Sequence, residues 1–350
     1  MKMVVRYFKQ HSRSTMIRFA IITFICLVAV TLLTQGIVQD YNRNKEFYET
    51  YGNSYYGYDH DWRVYPALPF HVFIIVILCT GLPMVEMSAF NSRKYLDSAF
   101  SFPISRVSML SVNLINGYLQ FILAYSISFA WYAMRLAPCA DKLYFAPIWA
   151  FFFISLLYSL FLYCFNAFFF SLCNATVDGA ITAIAWQHII AVVLATLSDM
   201  FNFNMDEDHI LMSIVWYPLG TISELYSDSA SRNPYLSEND FKVIPIIMIV
   251  VTVLAILFCA GTLFFFNRKR TESAGEISNT PVSYKVLIPV CAGMLLYWSL
   301  EGGGGIISLF ALIFSTVGYI IYRRGVRLKV SDLVVIGVCF AAFIMGMMAS

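Results

Sequence analysis

Asn113, Asn116 and Gln120 recur at i, i+3 and i+7 inside the apolar run Val107–Met134. On a helix that spacing puts all three on one face. Glu86 closes the preceding apolar run, Asn166 lies in the run after, and Gln187 with His188 in the one after that. Amides, a carboxylate and an imidazole in such surroundings have two uses. They can bond one helix to another, at about 0.6 kcal/mol per hydrogen bond. They can also line a wet path for a polar cargo. Both uses turn the side chains away from lipid, and the spacing leaves both open.

A second constellation is Asn91-Ser-Arg-Lys-Tyr-Leu-Asp-Ser-Ala-Phe-Ser-Phe-Pro-Ile-Ser-Arg106, a charged segment between two long apolar runs. Ser92 can cap a short helix. Tyr95, Leu96, Ala99 and Phe100 then share one face, while Arg93, Lys94 and Asp97 occupy the rest. Pro103 disfavours helix at Phe102 and suits the first turn of the next helix, with Arg106 following. The segment reads as a short helix at a membrane surface. Such a helix is either a connector whose basic side chains snorkel, or a dock for a soluble partner.

Motifs for catalysis are absent. The sequence has no G-x-x-x-x-G-K-[ST], so it cannot bind ATP by a P-loop, and neither H-E-x-x-H nor G-x-S-x-G. Gly302–Gly305 lacks the following Lys and Ser/Thr and reads as a turn between spans. The five histidines are scattered, and the eight cysteines form no C-x-x-C pair; most sit in apolar runs as small hydrophobes. The expectation is a chain with no catalytic residue, no metal and no cofactor of its own.

What must position these residues is a membrane-embedded scaffold. The 350 residues are 59% hydrophobic and 13% charged, with mean hydropathy +0.70. A soluble domain carries about 25% charged residues, so the class is an all-α, polytopic transmembrane helical bundle. About 20 apolar residues cross the hydrocarbon core. Nine segments qualify or come close: Met16–Val38, Ala67–Ala89, Val107–Met134, Phe145–Leu172, Gly179–Leu197, Val243–Phe266, Val286–Leu300, Ile306–Tyr322 and Leu333–Met348. Residues 1–15, with Lys2, Arg6, Lys9 and Arg13, form an amphipathic leader. The run behind them exceeds the ~7–15 residues of a signal-peptide core, so it reads as a retained span.

Lys and Arg set the orientation. The leader, Arg93/Lys94/Arg106, Arg268-Lys-Arg270 and Arg323 to Lys329 all fall on one side, which is then cytoplasmic, with the N-terminus inside. The opposite loops are acidic, one with Asp40, Glu46 and Glu49, the longest with Asp206 to Asp208. The organisation that follows is a six-span core over 16–266 with an outside segment at 199–242. Within that outside segment, His209–Leu225 reads as a short helix pair dipping into the outer leaflet, with Trp216 and Tyr217 at the interface. A cytoplasmic linker over 267–285 and three C-terminal spans over 286–350 complete it. An odd number of spans leaves the C-terminus outside, where a further domain is expected after Ser350. The aromatic loop Tyr51–Tyr58 reads as an interfacial belt or turn. Nucleic acid is not an expected partner; the lipid bilayer is.

Met87–Leu119 resembles the second-to-third-span region of permease subunits of ABC exporters (type V-like), in particular the Ytr-type permeases of Gram-positive bacteria. The resemblance is carried by Ser92, Arg93, Asp97, Ser101, Pro103, Ile104, Ser105, Arg106, Val112, Asn113 and Gly117, with Phe102 where Leu is usual. It implies that the short helix, with Ser92 to Asp97, Phe100, Pro103 and Arg106, is a coupling helix seated in a cleft of a separate ATPase dimer. It further implies ATP and Mg on that partner, a second permease subunit, and export of an amphipath such as a peptide antibiotic or a cell-wall lipid through the bacterial plasma membrane.

Overall fold

The computed structural model describes residues 2–51, 64–99, 104–200, 217–231, 238–269, 275–276, 284–299, 304–323, 325 and 327–349. The fold is all-α, with twelve α-helices and no strand among the described residues. They are α1 (Lys2–Ser14), α2 (Met16–Tyr51), α3 (Pro69–Ser88), α4 (Arg93–Ala99), α5 (Arg106–Arg135), α6 (Phe145–Ser171), α7 (Thr176–Met200), α8 (Tyr217–Ala230), α9 (Glu238–Arg268), α10 (Tyr284–Trp298), α11 (Gly304–Arg323) and α12 (Val330–Ala349). Each of the nine apolar runs is helical over most of its described residues. Six described helical stretches are long and apolar enough to cross a membrane: Met16–Phe47, Pro69–Asn91, Arg106–Arg135, Phe145–Ser171, Ile244–Arg268 and Ile306–Arg323. The apolar parts of α10 and α12 are shorter, Tyr284–Tyr297 and Val330–Met345. Large apolar side chains such as Phe24, Ile249 and Phe310 stand exposed. A surface of that kind suits lipid rather than water.

Two boundaries differ from the sequence reading. α2 continues as helix to Tyr51, past the apolar stretch that ends at Val38. Hydropathy stops there, but local pairing does not. Arg43 bonds Asp40 at 3.0 Å one turn away, Lys45 lies over the Tyr41 ring, and Tyr41 donates to Asp141 at 2.8 Å. α5 starts at Arg106 rather than at Pro103. Ser105 takes the extended cap conformation and its hydroxyl accepts from the Ser108 amide at 3.1 Å.

The chain divides into two compact units, each described by itself. The first comprises Met1–Met87, Pro103–Asn166 and Trp216–Leu263. Its centre is an aromatic column where α5 meets α6. Phe121 stacks on Tyr125, Tyr125 on Phe152, and Phe129 lies against Phe152 at 4.9 Å between centroids. The buried tyrosines keep their hydroxyls bonded, Tyr125 with Ser155 at 2.9 Å and Tyr163 to the Leu114 carbonyl at 2.9 Å. Asn166 of α6 donates to the Cys79 and Leu162 carbonyls, which bonds α6 to α3. α8 is the described helix that falls wholly within 199–242, while Trp216 lies outside the described residues. It is held where Tyr144 N donates to the Ala230 carbonyl and Leu68 N to Ser227 Oγ.

The second unit comprises Ser88–Phe102, Ala167–Val215 and Phe264–Ser350. Tyr284, Leu287 and Ile288 of α10 pack with Ile189 of α7 and Tyr319 of α11. Arg323 closes the turn into α12 with a two-pronged bond to Asp332, at 2.8 and 3.0 Å.

Candidate functional site

The leader explains where the polar face of α5 is spent. α1 is amphipathic: Arg6, Lys9 and Arg13 are exposed, while Tyr7, His11 and Ser12 turn inward. That inward face lies along α5. Tyr7 donates to Asn113 Oδ1 at 3.1 Å and Ser12 to Asn116 Oδ1 at 2.9 Å. Thr15, between α1 and α2, accepts from Asn116 Nδ2 at 3.1 Å and from Gln120 Nε2 at 2.6 Å. Arg18, one half-turn into α2, donates to Gln120 Oε1 through Nε at 3.1 Å and Nη2 at 2.9 Å.

Glu86 of α3 is the hub. Its side chain is 1% exposed. One carboxylate oxygen bonds His11 Nε2 at 2.8 Å; the other receives Arg18 Nη2 and, at 3.3 Å, Asn116 Nδ2. A carboxylate this deep is tolerated because a guanidinium and further donors meet it. The close approach rests on Gly117. A Cβ there would stand 2.5 Å from Tyr163 Oη and 2.8 Å from Glu86 Cγ. The centre therefore joins α1, α2, α3 and α5 through side chains far apart in sequence.

Glu86, Asn113, Asn116 and Gln120, chosen from the sequence, are thus brought together. His11, Ser12, Thr15, Tyr7 and Arg18 were not chosen. Arg18 carried the readable signal: an arginine inside an apolar run calls for a partner, and Glu86 is the acidic residue that ends another. Gln187 and His188 lie on α7 in the second unit. Gln187 is buried, whereas His188 is exposed, not turned inward as expected. Adjacent positions on a helix of 3.6 residues per turn point about 100° apart, so one can be buried while the next lies beyond the edge of the buried face.

The amphipathic segment belongs to the second unit, where α4 is a helix of seven residues. The Ser92 carbonyl accepts the Leu96 amide at 3.0 Å, which starts the helix. Leu96 is buried, Tyr95 is half-buried, and Arg93 and Lys94 are exposed. Asp97 is helical, but its side chain, with Phe100 and Pro103, lies outside the described residues; Arg106 is the half-buried first residue of α5. Behind α4, Phe90 is almost fully buried, edge-on to Tyr95 at 5.6 Å and to Phe266 at 5.0 Å. Arg93 pairs with Glu276 at 2.9 Å, and both side chains are more than half exposed.

Among the described residues, no three His, Cys, Asp or Glu side chains gather as a metal would require. Neither a scan against protein-family models nor a search of curated proteins finds a match to this chain.

Proposed function

We propose that the chain is the membrane-spanning permease subunit of an ATP-driven exporter, carrying an amphipathic cargo of the peptide-antibiotic or cell-wall-lipid kind. It hydrolyses nothing itself. A separate ATPase dimer binds α4 from the cytoplasm, and a second permease, alike or different, completes the pathway. ATP-driven closure of the ATPase then pushes α4 and switches the spans between inward and outward access. The observation that carries the reading is α4 itself. In the sequence it joins two span-length helices; it buries Leu96 and leaves Arg93 and Lys94 exposed. Exposed cations over a braced apolar face suit a soluble, acidic-rimmed cleft.

A sensor or scaffold that docks a partner without transport is the second reading. The Glu86 centre favours it, because the polar face of α5 is engaged by the leader rather than turned to a path. A detergent pull-down with the ATPase encoded nearest to this chain separates the readings, comparing wild type with Leu96→Pro. Capture by wild type alone supports the permease with its contact on α4. Capture by neither moves the assignment to the scaffold, and capture by both places the contact elsewhere on the chain.

A further inference from the structure

We infer that Lys269 is a positioning residue for α4, the cation that straps the docking segment to the exit of α9. The inference rests on the docking role proposed for α4. Its starting point is length: an isolated helix shorter than about 12 residues is marginal in water. The seven residues of α4 therefore take their position from what holds them.

What holds them comes from the residues just after α9. Of its neighbours, Arg268 is exposed and spreads over the Phe264 ring at 4.1 Å. Lys269 turns the other way. Its ammonium donates to Asn91 Oδ1 at 2.7 Å and to the Cys173 carbonyl. Asn91 is 7% exposed and only Ser92 separates it from α4. Cys173 follows the C-terminus of α6, where unbonded carbonyls carry partial negative charge that a cation stabilises. One ammonium thus fixes the entry to α4 and the end of α6 at once. Its two oxygen partners here are neutral, and burial outweighs them: it pushes the Lys269 ammonium down to about 8.

Two weaker ties run in parallel. Gly275 donates to the Asn174 carbonyl at 2.8 Å, at φ +81°, a left-handed conformation that favours glycine. That turn presents Glu276 to Arg93. The Arg93–Glu276 pair is exposed to water on both sides, and such pairs contribute little. It is also the pair that an acidic partner competes for. The half-buried Lys269 tie is the one that persists when a partner docks.

The test uses the full chain in detergent, as wild type, Lys269→Met, Lys269→Arg and Asn91→Ala. Amide hydrogen exchange over 91–99 reads the strap without any partner. Lys269→Met is expected to speed exchange there by about tenfold or more, the loss of a charged hydrogen bond. Protection along α5 is expected to stay at the wild-type level, and Lys269→Arg, which keeps charge and donors, restores most of the loss. Asn91→Ala removes the acceptor while leaving the lysine, and is expected to loosen the same amides if Lys269→Met fails to fold. Unchanged protection of 91–99 in both variants overturns the strap. Capture of the neighbouring ATPase is then compared. A fall in parallel with the loosening supports a role in docking, and loosening with unimpaired capture overturns that role. Wild type that captures no ATPase defeats the docking reading itself, an outcome the exchange measurement does not share.

Discussion

His71 and Glu86 stand near opposite ends of α3, and both are almost wholly buried, at 0% and 3% exposure. Their neighbours could hardly differ more. Glu86 is met by His11, Arg18 and Asn116, supplied by three other elements. His71 is boxed by rings, with Tyr132 edge-on at 4.5 Å and Phe129 at 4.9 Å. Among the described residues neither of its ring nitrogens has a hydrogen-bond partner. One helix thus carries both solutions to a polar side chain in an apolar setting. A full charge is matched atom by atom. An imidazole is left to aromatic edges and bears the cost of its orphaned nitrogens. The carboxylate end is therefore held by specific partners, while the imidazole end is held by shape.

Removing one member of the matched set is expected to have the largest effect. Glu86→Ala leaves the Arg18 guanidinium to the neutral Gln120 carbonyl and should cost about 3 kcal/mol in thermal unfolding in detergent. The double variant Glu86→Ala/Arg18→Met, which removes both charges, should regain much of that loss. A single variant as stable as wild type would show that the pair is not what closes this end. Gly117→Ala is next. The added methyl must displace Tyr163 Oη or Glu86 Cγ, at about 1–3 kcal/mol, with the melting temperature falling to match. The smallest effect has the opposite sign. His71→Leu keeps the volume and removes two unbonded nitrogens, so a gain of about 1 kcal/mol is expected. A loss of stability instead would mean that the imidazole has a partner after all, and the contrast with Glu86 would fall.

Much of this architecture is legible residue by residue. The nine apolar runs mark helices because a membrane demands length and hydropathy together, and α4 is visible because its charges interrupt that rule. The far half of α2 is not legible from hydropathy, since pairs such as Arg43 with Asp40 extend the helix after the apolar residues end. The α5 stripe was readable as a polar face but not as the leader's seat. What meets Asn113 and Asn116 comes from about a hundred positions earlier, with no periodicity to announce it. Lys269 reads in the sequence as one more orienting charge. Its inward turn is met by a carbonyl just past the end of α6, which no side-chain pattern encodes.

The partners of the Glu86 centre are made in a fixed order. Tyr7 to Arg18 leave the ribosome well before α3, and α3 before α5. Arg18 is therefore made before either of its partners, Glu86 and Gln120, exists. When α3 follows, the guanidinium that its carboxylate meets in the folded protein has already been made. The cost of an unmatched buried carboxylate is then relieved as soon as α3 is made. The leader and Arg18 form in this sense a template against which the polar groups of the later helices α3 and α5 are matched.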